Sequence, residues 1–176
     1  MFFSHFLFFY LTGISYICTI MIDQPHTTTQ ETDMTYHELI VAAAFAEVED
    51  VKAALEKEAD QATLNEALIL ANDHLIPLQR RNRHKITKML LAAGADPNTT
   101  IPDTGWTVLH FVARKGTGPT AKTLLAAGAD PSIANKAGHL PLEYALEGAE
   151  HGFAARAAHW RHGCQSVADA IIEATK

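Results

Sequence analysis

Basic side chains are missing from the first 51 residues, and the first of the chain's 14 is Lys52. A start without Lys or Arg lacks the basic n-region of an ordinary secretion signal and leaves membrane orientation unspecified. Cysteine is almost absent too. Cys18 and Cys164 stand far apart in the chain, which excludes a disulfide framework and a CxxC metal site. Ten glycines and seven prolines in 176 residues exclude a collagen-like repeat. Only 19% of residues are charged against 48% hydrophobic, so the chain is not wholly disordered and can bury a core. A net charge of −6 counts against general nucleic-acid binding. No Walker motif, HExxH, GxSxG or dinucleotide glycine fingerprint occurs. Gly116-Thr117-Gly118-Pro119 lacks the Gly-Lys-Ser/Thr that would make it a phosphate loop.

What the N-terminus does hold is phenylalanine, with five of the eight among the first nine residues. Phe2 to Ile22 carries no charge and is 21 residues long, about 32 Å as a helix, enough to cross a hydrocarbon core. Three readings stand side by side. The stretch is a signal anchor, or a cleaved signal with Gly13-Ile14-Ser15 as an imperfect small-x-small site, or an untranslated leader ahead of a start at Met21 or Met34. The last makes the protein cytoplasmic; the others anchor it to a membrane or export it. Gln24 to Asp33 reads as a polar linker. The expected organisation is a leader and linker over 1–33 and one folded domain over 34–176.

Charge is uneven within that domain. Glu38 to Asp73 holds nine acids and two lysines, whereas His74 to Lys122 holds eight basic residues and two acids. The middle of an acidic protein is basic, which points to a partner surface of opposite sign.

The domain also repeats itself. Leu90-Leu91-Ala92-Ala93-Gly94-Ala95-Asp96-Pro97 recurs as Leu124-Leu125-Ala126-Ala127-Gly128-Ala129-Asp130-Pro131. At nearly the same offset, Gly105-Trp106-Thr107-Val108-Leu109-His110 recurs as Gly138-His139-Leu140-Pro141-Leu142-Glu143. A weaker copy, Ala54 to Asp60, lies one similar interval ahead of Leu90. Thr35 with Glu38, and Thr63 with Glu66, have capping-box spacing and predict helix starts after Thr35 and Thr63. Gly94 and Gly128 follow helical leucine pairs, where a left-handed glycine stops a helix. Each unit is therefore helix, turn, helix and projecting loop. It cannot bury its apolar face alone, so the copies must stack into one core.

These residues resemble the ankyrin repeat family. The family pattern G-x-T-P-L-H-x-A-A-x-x-G followed by L-L-x-x-G-A-D appears as Gly105-Trp106-Thr107-Val108-Leu109-His110 through Gly116, then Leu124 to Asp130. The resemblance implies an all-α solenoid of about four stacked helix-turn-helix units with short β-hairpin loops. Thr35 to Asp60 is the N-terminal cap, and the unit with Leu140-Pro141-Leu142-Glu143 is the C-terminal cap. Two departures are expected as insertions between the helices of a repeat. One lengthens unit two around Leu75 to His84; the other, about twice as long, lengthens unit four around His151 to Cys164. Both should lie at one edge of the stack, flanking the regular third unit.

His151, His159, His162 and Cys164 are zinc-ligand types in one segment. Against a metal site, Phe153, Ala157, Trp160, Cys164, Val167 and Ile171 form an i, i+4, i+7 stripe that turns Cys164 into the core, and Gly163 is a candidate kink. No metal or cofactor is expected. His110 is, by the resemblance, a structural histidine tying its helix start to the neighbouring hairpin. No nucleophile or acid is identifiable beside it, so no catalytic residue is expected.

A binding surface remains. The resemblance implies a non-enzymatic protein-protein interaction module that uses hairpin tips and the concave face of the inner helices. Carried over by position, Asp103, Thr104 and Trp106 form one tip, Arg114 and Lys115 a helix end, and Lys136 and His139 the next tip. Trp106 is either the partner anchor or a ring packed on the neighbouring hairpin. Arg80, Arg81 and Arg83 sit in an expected basic inter-helix loop on the edge that carries Arg114 and Lys115. An acidic protein partner and a monomeric chain are expected, with no nucleic acid, and a membrane only if residues 1–22 are translated and retained. The alternatives are a ligand- or metal-binding protein built on the C-terminal insertion and a bacterial companion or immunity-type protein.

Overall fold

The computed structural model describes residues 30–45, 47–72, 80–151 and 157–176. They form eight helices: α1 (Gln30–Phe45), α2 (Val48–Leu55), α3 (Gln61–Asn72), α4 (Arg80–Ala92), α5 (Val108–Lys115), α6 (Gly118–Ala126), α7 (Pro141–His151) and α8 (Ala157–Ala174). Helices α1, α3, α5 and α7 pack in sequence as an inner layer, and α2, α4, α6 and α8 as an outer one. Each inner helix also packs on the outer helix that follows it, which makes four hairpin units. Among the described residues the one bridge is the antiparallel pair Thr100 and Thr107, in the loop between units two and three. The protein is an all-α repeat solenoid.

The stacking follows from the repeat. Val51, Thr87 and Ala121 hold equivalent places in α2, α4 and α6, as do Ala54, Leu90 and Leu124, and all six are buried. The inner layer contributes Leu39 and Ala43, Leu64 and Leu68, then Val108, Leu109 and Val112 to the same continuous core. No unit closes a core by itself, so stability resides in the interfaces between units. One polar pair is buried in this core. Asn72 Nδ2 donates to Leu68 O at 3.0 Å and to Thr87 Oγ1 at 2.9 Å, fixing α3 against α4. A buried pair of this kind tolerates only one register, because either group alone would be left unsatisfied.

Helix ends recur as the sequence predicts at Gly94 and Gly128. Both adopt positive φ, 102° and 94°, and Ala95 N–H donates to Leu90 O just as Ala129 N–H donates to Leu124 O. Without a Cβ, glycine enters this conformation at no steric cost.

Three expectations need correction. The basic run around Arg80 to His84 is helical rather than a loop, because α4 begins at Arg80 and takes in Arg81 and Arg83. The absence of glycine and proline from 80 to 92 lets the helix include Arg80 to His84, while residues 73–79 lie outside the described residues. In unit four α7 runs to His151 and α8 starts at Ala157, so the expected insertion is helical from Ala157 to Cys164, while residues 152–156 lie outside the described residues. The capping boxes also misplace two helix starts. Helix α1 starts at Gln30 and passes through Thr35, while α3 starts at Gln61 with Asp60 as its cap, Thr63 N–H donating to Asp60 Oδ1 at 2.7 Å. Hydrogen bonds from the Thr63 hydroxyl and then from the Thr63 N–H hold the Asp60 carboxyl below its ordinary range. Gly163 marks no break in α8. It is a point of contact instead: a Cβ there would lie 2.1 Å from Gly116 O, at the end of α5. The leader Phe2 to Ile22 lies outside the described residues, among which no helix is long and apolar enough to cross a membrane.

Candidate partner-binding surface

Helix α5 organises the surface. Thr107 is its N-cap, and Thr107 N–H donates to His110 Nδ1 at 3.1 Å with the Thr107 hydroxyl 2.8 Å from the same nitrogen. A backbone amide can only donate, so Nδ1 accepts and the imidazole proton sits on Nε2. That nitrogen lies 3.1 Å from His139 O, an acceptor in the hairpin of unit four. His110 is fully buried, and burial pushes its pKa below the ordinary histidine value, so the ring is neutral at pH 7. The expected tie between helix start and neighbouring hairpin is thus present.

Trp106, one residue before that cap, is half-buried in a group of rings contributed by two units. Its centroid lies 4.8 Å from Tyr144 of α7, 5.1 Å from Phe111 and 5.7 Å from His110. The Arg114 guanidinium stands over the ring, 5.7 Å from its centroid, within cation–π range. Of the two readings of Trp106, the packing on the neighbouring unit is present. The ring is packed against unit four, and it leaves part of its surface outside beside an exposed Arg114.

The hairpin tips form a connected edge. Thr104 and Asp103 are exposed, and Lys136 N–H donates to Thr104 O at 3.0 Å, joining the tips of units three and four. Gly105 makes that approach feasible, because a Cβ there would stand 2.9 Å from Lys136 N. Asn135, 6% exposed, closes the fourth hairpin: its Oδ1 accepts from Ala137 N–H and His139 N–H, each at 3.0 Å, and its Nδ2 donates to Tyr144 OH at 2.9 Å. His139 is exposed, with Nδ1 3.1 Å from Glu143 Oε2, which also accepts from Leu140 N–H at the start of α7. Farther along, Asn98 Nδ2 donates to Gly128 O at 3.1 Å and Asn98 Oδ1 accepts from Asp130 N–H at 2.7 Å. In the preceding unit Gln61 reaches Gly94 O at 2.8 Å and Asn65 Oδ1 accepts from Asp96 N–H at 2.8 Å. Neighbouring loops are thereby fixed to one another.

The expected site residues fall at the two ends of the helices. Asp103, Thr104, Trp106, Lys136 and His139 gather at the hairpin end. Arg80, Arg81 and Arg83 start α4, and Arg114 and Lys115 end α5, at the opposite edge. Arg114 links the two groups by reaching back over Trp106. Lys115 has a structural partner, since its ammonium donates to Asn72 O at the end of α3. The side chains of Arg80 and Arg81 lie outside the described residues; Arg83 is half-buried. Sequence reasoning missed Tyr144 and Phe111. Tyr144 stands in α7 where Phe111 stands in α5, and each was legible only as one more apolar inner-helix residue.

Cys164 lies fully buried, its Sγ 3.7 Å from Ala113 O, and burial raises its thiol pKa. His162 is exposed, so these two candidate ligands point apart. The side chains of His151 and His159 lie outside the described residues.

A family model for ankyrin repeats (many copies) matches residues 74–125, the stretch that contains α4, α5 and most of α6. No curated protein matches the sequence.

Proposed function

We propose that this ankyrin-repeat-containing chain is a non-enzymatic module that binds a protein partner across its inner helix layer and the hairpin edge of units three and four. Ankyrin repeats supply the coarse reading, protein-protein interaction. The observation that supports the finer one is the Trp106 group: an aromatic ring held by Tyr144 and Phe111, with the Arg114 guanidinium over it. Tryptophan and arginine dominate interface hot spots because they combine large contact area with directional polar contacts. Asp103, Thr104, Lys136 and His139 form the polar rim beside it. An acidic partner surface is supported by Arg80, Arg81 and Arg83 at the start of α4, which share an edge with Arg114 and Lys115 at the end of α5. Charge there would act mainly on association rate and partner choice.

The experiment is affinity capture with the full chain, run beside Trp106→Tyr and Arg114→Glu variants whose folding is checked by circular dichroism. A partner held by the parent and lost by both variants supports the reading. Partners retained by both would move the interface away from this face.

A further inference from the structure

The largest basic excess is not on the inner layer. Helices α4 and α6 carry Arg80, Arg81, Arg83, Lys85, Lys88 and Lys122 and no acid, which leaves eight basic residues against 20 acids in the rest of the chain. The two helices are neighbours in the outer layer. Lys85 and Lys88 are exposed and one turn apart, and exposed Lys122 sits at the position of α6 that corresponds to Lys88 in α4. Adjacent packed helices lie about 8–10 Å apart, so the three ammonium groups share one small area. Ala92, Ala93, Ala126 and Ala127 are exposed beyond them, leaving a surface of low relief on which a chain can lie close.

We propose that the outer face of α4 and α6 is a second docking surface, separate from the inner face, for a short extended acidic protein segment. The neighbours of this face select that occupant. On one side α2 and the turn after it expose Glu49, Asp50, Glu56 and Glu58 against Lys52 and Lys57, and on the other α8 exposes Asp169 and Glu173 toward its end with Arg161 near its start. A lipid plane or a nucleic-acid duplex broad enough to reach the lysines would also press on these acids. A single extended strand, at about 3.3 Å per residue, crosses the two-helix window in roughly six residues and avoids both acidic borders. Its carboxylates would alternate with small residues over the alanines.

The test is fluorescence anisotropy of a labelled peptide of alternating glutamate and glycine, titrated with the full chain at physiological ionic strength. Saturable binding that weakens as salt rises is expected. Lys85→Glu/Lys88→Glu/Lys122→Glu should weaken it about tenfold or more. The single changes Lys88→Ala and Lys122→Ala, at exposed positions, should each weaken it about twofold to threefold without altering the fold. Arg114→Ala should leave it unchanged, so failure of this surface and failure of the inner-face reading are measured on different variants. Absence of saturable binding, or full affinity in the lysine variants, overturns the proposal. So does tighter lysine-dependent binding to phosphatidylserine vesicles or to duplex DNA than to the peptide.

Discussion

Gly163 offers the sharpest test of how the last helix is held. Replacing a glycine inside a helix by alanine normally stabilises a protein by about 1 kcal/mol, through lower backbone entropy in the unfolded chain. Here the new Cβ would lie 2.1 Å from Gly116 O, 3.0 Å from its carbonyl carbon and 3.3 Å from its Cα. None of those atoms belongs to a flexible side chain. Gly116 is the left-handed cap of α5, tied down by its own N–H to Ala113 O and by Thr117 N–H to Val112 O. Helix α8 would have to lift by roughly 1 Å, and a gap of that size forfeits a quarter to a half of each contact it opens. The contacts at stake belong to Cys164, Val167, Ala168 and Ile171, each no more than 1% exposed. Overpacking of this kind costs typically about 1–3 kcal/mol. We expect Gly163→Ala to lower stability by about 2 kcal/mol, the opposite sign from helix propensity, and the melting temperature by about 4–8 °C. Urea denaturation followed by circular dichroism would measure it, with Gln165→Ala, an exposed site on the same helix, as control. A Gly163→Ala variant as stable as the parent would refute the close crossing of α8 over the end of α5.

Four further outcomes follow from the same geometry. His110 has a folded pKa below its unfolded value near 6.5, so the unfolded chain takes up a proton that the native ring refuses. Its contribution is complete above about pH 6.5 and is lost as pH falls toward the folded pKa; His110→Gln should be less stable than the parent at pH 7.5, and its denaturation midpoint should vary less between pH 7.5 and 5. Thr87→Val leaves the buried Asn72 amide short of one partner and should cost about 1–3 kcal/mol by urea midpoint, with Lys88→Ala as the neutral neighbour. Asn98→Ala removes both bonds to the next loop and should lower stability by about 1–2 kcal/mol, with faster amide exchange at Asp130 seen by NMR. Asp60→Ala removes the cap of α3 and should cost about 1 kcal/mol at pH 7, a difference that shrinks as the carboxyl of the parent is protonated in acid.

The repeat was legible because it is a one-dimensional signal. The copies at Leu90 and Leu124, with Gly94 and Gly128 behind them, fix where helices end and which faces stack. The role of His110 at the start of α5 came only from the resemblance, and its pairing with Thr107 came from the structure. The bond from His110 to His139 O, a whole unit further on, was reachable only through the resemblance. Helix starts were read less well. Thr63 looked like a cap, but Asp60 just before it takes that role, and local spacing does not say which of two polar residues the chain will use. The basic run read as a loop because insertions relative to a repeat usually project, whereas here it lengthens α4.

By itself the sequence determined the architecture: periodic apolar positions, glycine stops and a repeat at near-constant spacing admit one stacked solution. It also determined that Cys164 faces inward, since an i, i+4, i+7 stripe has only one buried side. Only the tertiary structure decided what meets across units. Trp106 lies against Tyr144 and under Arg114, Lys115 reaches back to Asn72, and Gly163 crosses Gly116 where a kink was expected. It also decided that α4 and α6 carry a large share of the basic charge into the outer layer. The physical reason is common to all of these. Periodicity sets which way a side chain points, whereas the neighbour it meets depends on the offset and rotation between stacked helices, which packing alone selects.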